Sequence, residues 1–161
     1  MKKTVFASFV IFWMVAGICP AILQAQVYNI YGSYGQQQGT MSQDYLIPNR
    51  MNLNNNTGQN IGYSQPNYLI QQRTDLYDSK NQSMGYNQNN YLIQQRVDMY
   101  DQKGQLNGYM QQDYLQNNRV NIYDSRGSQQ GYYQVNPMQQ NTIDLYDNSH
   151  KKVQTIRKSP Y

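Results

Sequence analysis

The side chains able to do chemistry in this chain are few, and they recur. A D-x-x-D spacing puts Asp75 with Asp78 and Asp98 with Asp101. Carboxylates repeated in this way could hold a calcium ion if several converged, and added calcium would then raise thermal stability. Their spacing fits neither an EF-hand loop nor a G-G-x-G-x-D repeat. Asp78, Asp101 and Asp124 have a simpler task as the first residue of a turn. Asp75 and Asp98 follow Arg73 and Arg96 by two residues, where they balance charge. The one histidine, His150 in DNSHKK, reads as a solvent-facing loop residue beside a basic stretch. There is no glutamate and no nucleophile elbow, and the single cysteine, Cys19, lies in an apolar leader. A catalytic triad or a His/Cys metal centre therefore has little to build on. We read the chain as a non-enzyme that needs no cofactor.

Tyrosine is the remaining chemical resource, with 17 copies. It could give an adhesive surface, a face for stacking on polysaccharide, or dityrosine cross-links. It also serves as amphipathic filler of a half-buried sheet. Position decides between these uses, and position here is periodic. NYLIQQRTDLYDSKNQSMGY (67–86) and NYLIQQRVDMYDQKGQLNGY (90–109) agree at fourteen of twenty positions, 23 residues apart. Related copies start at 44, 113 and 136, and NIYGSYG (29–35) is a half copy. The anchors that stay in phase are Tyr68, Tyr91 and Tyr114; Tyr77, Tyr100, Tyr123 and Tyr146; Arg73, Arg96 and Arg119; and Gly85, Gly108 and Gly131. An unbroken period of this length marks a repeat architecture in which each unit buries its apolar face on its neighbours. These anchors are the expected assembly residues.

The elements follow from alternation. In RVDMYD (96–101), Val97 and Met99 point one way and Arg96, Asp98 and Tyr100 the other, as in a strand with one buried face. DQKG (101–104) and DSRG (124–127) place Asp first and Gly fourth in a tight turn, with Asn81 in the glycine position of DSKN. A second strand then ends in Gly-Tyr, and YLIQQ adds a further extended piece with a corner at its glutamines. The expected fold is all-β: tandem 23-residue repeats forming a β-solenoid, with repeated β-hairpins in a meander sheet as the alternative. Aliphatic burial of about 2 kcal/mol per side chain cannot by itself order 23 residues. Stacked Tyr rings, amide ladders and continuous backbone pairing must supply the rest. The first unit begins mid-repeat and the last runs into basic residues, so open strand edges are expected at both ends.

The organisation is a leader at 1–25, a half repeat and lead-in at 26–43, tandem repeats at 44–147 and a basic tail at 148–161. Lys2 and Lys3, an apolar run and Ala25 before the cut read as a secretory signal peptide, with an uncleaved anchor as the alternative. From Gln26 on there is no Cys, Phe, Trp or Ala. The body (26–147) carries seven basic residues against nine acidic, and Lys151, Lys152, Arg157 and Lys158 crowd the end. That balance lacks the basic stripe of a nucleic-acid-binding protein.

In period and composition, the units at 44–147 resemble bacterial functional-amyloid subunits of the curlin kind, although Y-L-I-Q-Q-R-x-D-x-Y-D is not the curlin pattern. The resemblance implies cross-β self-assembly in a biofilm matrix. The expected function is a secreted structural repeat protein that self-associates or coats the cell surface, with no membrane span once the leader is removed. The alternative is a monomeric module, outside the cell or in the periplasm, binding glycan or peptidoglycan.

Overall fold

The computed structural model describes residues 26–139 and 141–160; the leader at 1–25 lies outside them. Twelve strands follow one another: β1 (Val27–Gly32), β2 (Gln37–Gln43), β3 (Met51–Asn55), β4 (Asn60–Pro66), β5 (Arg73–Asp78), β6 (Ser83–Asn89), β7 (Arg96–Asp101), β8 (Leu106–Gln112), β9 (Arg119–Asp124), β10 (Gln129–Val135), β11 (Thr142–Asp147) and β12 (Lys152–Lys158). Each pairs antiparallel with its neighbours in sequence, and β1 pairs with β12, so the sheet closes into a barrel.

The all-β expectation holds, whereas the solenoid gives way to hairpins. Chain reversal explains why. Asp78 Oδ1 accepts the N–H groups of Lys80 and Gln82, and Asn81 sits at φ 62°. Asp101 and Asp124 do the same ahead of Gly104 and Gly127. Such turns send the strand back along itself, whereas a coil needs corners. Beyond each turn the register skips one residue. Leu76 faces Gly85 while Tyr77 faces Ser83, leaving Met84 over; Met99 faces Gly108 while Tyr100 faces Leu106, leaving Asn107 over. Register shifts recur in all six hairpins. A bulge sharpens local twist, and repeating it bends the sheet until its edges meet. Gly85 shows why glycine is needed: its φ is +131°, and a Cβ there would strike the Tyr100 carbonyl.

Three other expectations change with this topology. The Gly-Tyr pair lies inside the second strand, which continues to Asn89. YLIQQ is a loop between hairpins, not a strand. The lead-in forms the complete hairpin β1–β2, and the basic segment 148–161 supplies a turn and β12, so the open edges pair with each other.

Closure is written into the seam. Elsewhere glycine of one strand faces aspartate or asparagine of the next, as in Gly85↔Asp101, Gly108↔Asp124 and Gly39↔Asn55. At the seam the sizes exchange: Gln154 faces Gly32. Gln154 is buried and donates to Gln38 Oε1 at 2.8 Å.

The core lies inside the barrel. Ile30, Met41, Leu53, Leu76 and Ile156 form one cluster; Met110, Ile122, Tyr133 and Leu145 form another; Met99 and Ile143 pack on both. The opposite parity faces outward and carries Arg, Asp and Tyr. A lipid-spanning barrel has the reverse arrangement, apolar outside and polar within. No helix among the described residues is long and apolar enough to cross a membrane.

Candidate functional site at the loop end of the barrel

Strand alternation puts all the tight turns at one end of the barrel and all the longer loops at the other, beside Gln26 and Ser159. The two ends differ in chemistry. The turn end carries Asp78, Lys80, Asp101, Lys103, Asp124, Arg126 and Lys151. The loops at 67–72 and 90–95 contain no charged residue at all.

Each loop is ordered by one residue at its start. Asn67 Oδ1 accepts from the Leu69 and Ile70 amides, and its Nδ2 donates to Asp75 Oδ2 at 2.6 Å. Asp75 Oδ1 in turn accepts from Arg73 Nε at 2.6 Å. The Arg73 guanidinium lies 3.7 Å above the Tyr86 ring, which stacks on Tyr100 with centroids 4.7 Å apart. The next unit repeats the chain through Asn90, Asp98, Arg96, Tyr109 and Tyr123. In two units the amide and the acid exchange places: Asp44 receives from Asn52, and Asp113 from Asn121. Those bonds, with help from the loop amides, hold both carboxyls below the ordinary carboxylate value. The last unit keeps Asn136 with Asp144 but has Thr142 in the arginine position; Thr155 and Lys152 serve Asp144 instead.

With the loop backbones held in this way, their apolar side chains stand in solvent. Leu46, Leu69, Leu92, Leu115 and Met138, one per loop, are between 83% and 95% exposed. Tyr45, Tyr68, Tyr91 and Tyr114 precede four of them and are also exposed. Phase places these residues at equivalent positions around one rim. Inside that rim lies a cavity of about 480 Å³. Val97, Met110, Val120, Tyr133 and Ile143 give it an apolar wall; Gln72, Gln95, Gln112 and Asn118 give it an amide collar. Its volume is within the range of small-molecule sites. Burial drives the Tyr133 hydroxyl pKa far above its ordinary value.

The assembly residues expected from the sequence fall into three places. Tyr68, Tyr91 and Tyr114 are on the rim. Tyr77, Tyr100, Tyr123 and Tyr146 lie on the outer wall, stacked on Tyr63, Tyr86, Tyr109 and Tyr132. Burial first, then the charge of Asp75, Asp98 or Asp144, raises the pKa of Tyr77, Tyr100 and Tyr146. Arg73, Arg96 and Arg119 cover rings on that wall, and Gly85, Gly108 and Gly131 belong to the hairpin bulges. Among the described residues no three His, Cys, Asp or Glu side chains come together as metal ligands would. His150 is exposed and takes the left-handed turn position at φ 60°.

Sequence reasoning missed the leucines of the rim and the Asn/Asp pairs eight residues apart. The second had a visible signal: wherever the loop begins with Asn the strand carries Asp, and the reverse.

No family model and no curated protein matches the chain. Among solved structures, a candidate exported protein of Bacteroides fragilis with a YmcC-like fold aligns over 83% of this chain and 94% of its own, at 10% identity and a TM-score of 0.34. That score is too low to carry an argument about fold or function.

Proposed function

We propose that this protein is an exported, non-enzymatic module that coats or docks onto the cell envelope by the loop end of its barrel. One observation carries the reading: the exposed apolar side chains of the five loops lie on a single rim, on backbones already fixed by hydrogen bonds. Preorganised loop backbones lose little freedom on binding, and copies on one scaffold act together. Export is supported by the basic and apolar pattern of the leader. Self-association by strand addition would need a free edge, and none is present among the described strands, so coating through the rim is the form of the structural reading that the geometry favours.

The test is co-sedimentation of the chain from Gln26 on, which contains the whole barrel, with peptidoglycan sacculi, insoluble cell-wall polysaccharide and total membranes. The wild type should pellet with at least one. A rim variant (Tyr68→Ser, Leu69→Ser, Tyr91→Ser, Leu92→Ser) should stay in solution. A wall variant (Tyr77→Ala, Tyr100→Ala, Tyr123→Ala) should pellet like wild type. Loss in the wall variant alone would instead favour polysaccharide stacking on the outer wall, a reading supported by its four Tyr–Tyr stacks. A wild type that pellets with nothing would overturn both.

A further inference from the structure

Resting on that reading, we propose that the partner of the rim is a lipid surface: the loop end lies on a bilayer and sinks its leucines into the boundary between headgroups and acyl chains.

Four observations point there. The first is composition. Each of four loops offers Tyr followed by Leu, preceded by Asn in two loops and by Asp in the other two; an amphipathic ring beside an aliphatic chain suits the membrane–water boundary. The second is charge. Loops 67–72 and 90–95 have no ionised group, and the carboxylates of Asp44 and Asp113 are balanced by Arg50 at 3.6 Å and Arg119 at 3.7 Å. Such a rim has little net charge to set against anionic or zwitterionic headgroups. The opposite end of the barrel is studded with Lys and Asp, so the molecule has one end suited to lipid and one suited to water. The third is shape. A closed barrel with loops in register presents equivalent positions on a ring, which matches an extended flat target better than a narrow ligand or a single strand. The fourth is where the chain enters. The Gln26 carbonyl accepts from the Gln43 amide and Val27 from Ser159, which puts the point of attachment of the apolar leader at this same rim. A barrel tethered or delivered by that leader meets the membrane loop end first.

The outer wall, with its Arg, Asp and stacked Tyr, excludes deeper insertion, so the barrel rests on the lipid without crossing it. Because hydrophobic burial drives the contact, binding should depend little on salt, unlike attachment through basic patches.

The experiment is flotation of the chain from Gln26 on with phosphatidylcholine vesicles, and with vesicles containing phosphatidylglycerol, at low and high salt. The expected result is binding to both, nearly unchanged by salt. Each of Leu69→Ser and Leu92→Ser should weaken it by about tenfold or more. Because these side chains are exposed, the variants should keep the wild-type unfolding midpoint. A second readout is available because the chain from Gln26 has no Trp. Emission from Leu92→Trp should shift to the blue on vesicles, and emission from Lys103→Trp, at the turn end, should not. Pelleting with sacculi or polysaccharide without flotation would overturn the lipid assignment and leave the rim as the binding end. Binding only to anionic vesicles at low salt, or equal shifts from both tryptophans, would also overturn it. So would concentration-dependent dimers abolished by Leu69→Ser, because they would make a second copy the occupant. Failure with every envelope material would overturn the parent reading too.

Discussion

At the scale of single residues, the organising contact is the amide–carboxylate pair that joins each loop to the strand after it. Asn90 Nδ2 donates to Asp98 Oδ2 at 2.6 Å, while Asp98 Oδ1 takes the Arg96 Nε at the same distance. Units that begin with Asp keep the bond by placing Asn on the strand. The pair therefore behaves as one object with two equivalent settings. Asp98→Asn should destabilise the barrel by about 2 kcal/mol, since the charge paired with Arg96 is lost and the Asn90 amide then faces a second NH2 group in place of a carboxylate oxygen. Asn90→Asp should also destabilise, by setting two carboxylates against each other. The double variant Asn90→Asp/Asp98→Asn should recover most of the loss, and a double-mutant cycle in urea measures it. Additive losses would mean that the pair is incidental. The Arg–Asp balance was legible from their separation of two residues. The Asn partner was not, because its reach spans a loop whose shape periodicity alone does not give.

At the scale of the element, one hairpin contains the instructions for the whole. Alternation in RVDMYD identifies the buried face, and D-x-x-G identifies the reversal, so both were readable. The bulge was not: Met84, Asn107 and Gln130 are skipped by the register, and the glycine after each lies against a backbone carbonyl of the next hairpin, a contact between distant residues. YLIQQ misleads in the other direction. Its apolar content imitates a strand, yet the N–H groups of Leu69 and Ile70 are taken by Asn67 and the Leu69 side chain stands almost fully in solvent. Turn and bulge positions should respond differently to substitution. Gly85→Ala should cost about 3 kcal/mol, since it combines positive φ with a backbone collision. Gly104→Ala, at φ +75° where a Cβ would meet only the Tyr86 hydroxyl at an unstrained 3.8 Å, should cost about 1 kcal/mol. His150→Gly should add up to about 1 kcal/mol, less whatever the ring contributes against Tyr132. Denaturant midpoints give all three, and equal effects at Gly85 and Gly104 would contradict the bulge assignment.

At the scale of the whole molecule, closure determines what the repeats can do. Taken singly, each unit has unpaired edges, and a Gln/Asn/Tyr-rich chain with free edges is a template for its own kind. Six bulged hairpins turn far enough for β1 to meet β12, which satisfies both edges and gathers the loops at one end. The exchange of Gly and a larger residue between Gly32 and Gln154 marks the two strands as partners, and that mark is present in NIYGSYG for a reader who knows to compare across the seam. The ring of loops, and with it the envelope-binding reading, depends on this one pairing.

The most direct measurement therefore uses the absence of cysteine after Cys19. Asn29 and Arg157 face each other across the seam. In the chain from Gln26 on, Asn29→Cys with Arg157→Cys should oxidise to an intramolecular disulfide in dilute solution, with the monomer retained and stability raised by up to about 5 kcal/mol, given the length of chain the bridge encloses. Cross-linking between molecules instead, or two thiols that stay free in the folded protein, would contradict a closed barrel and with it the single rim.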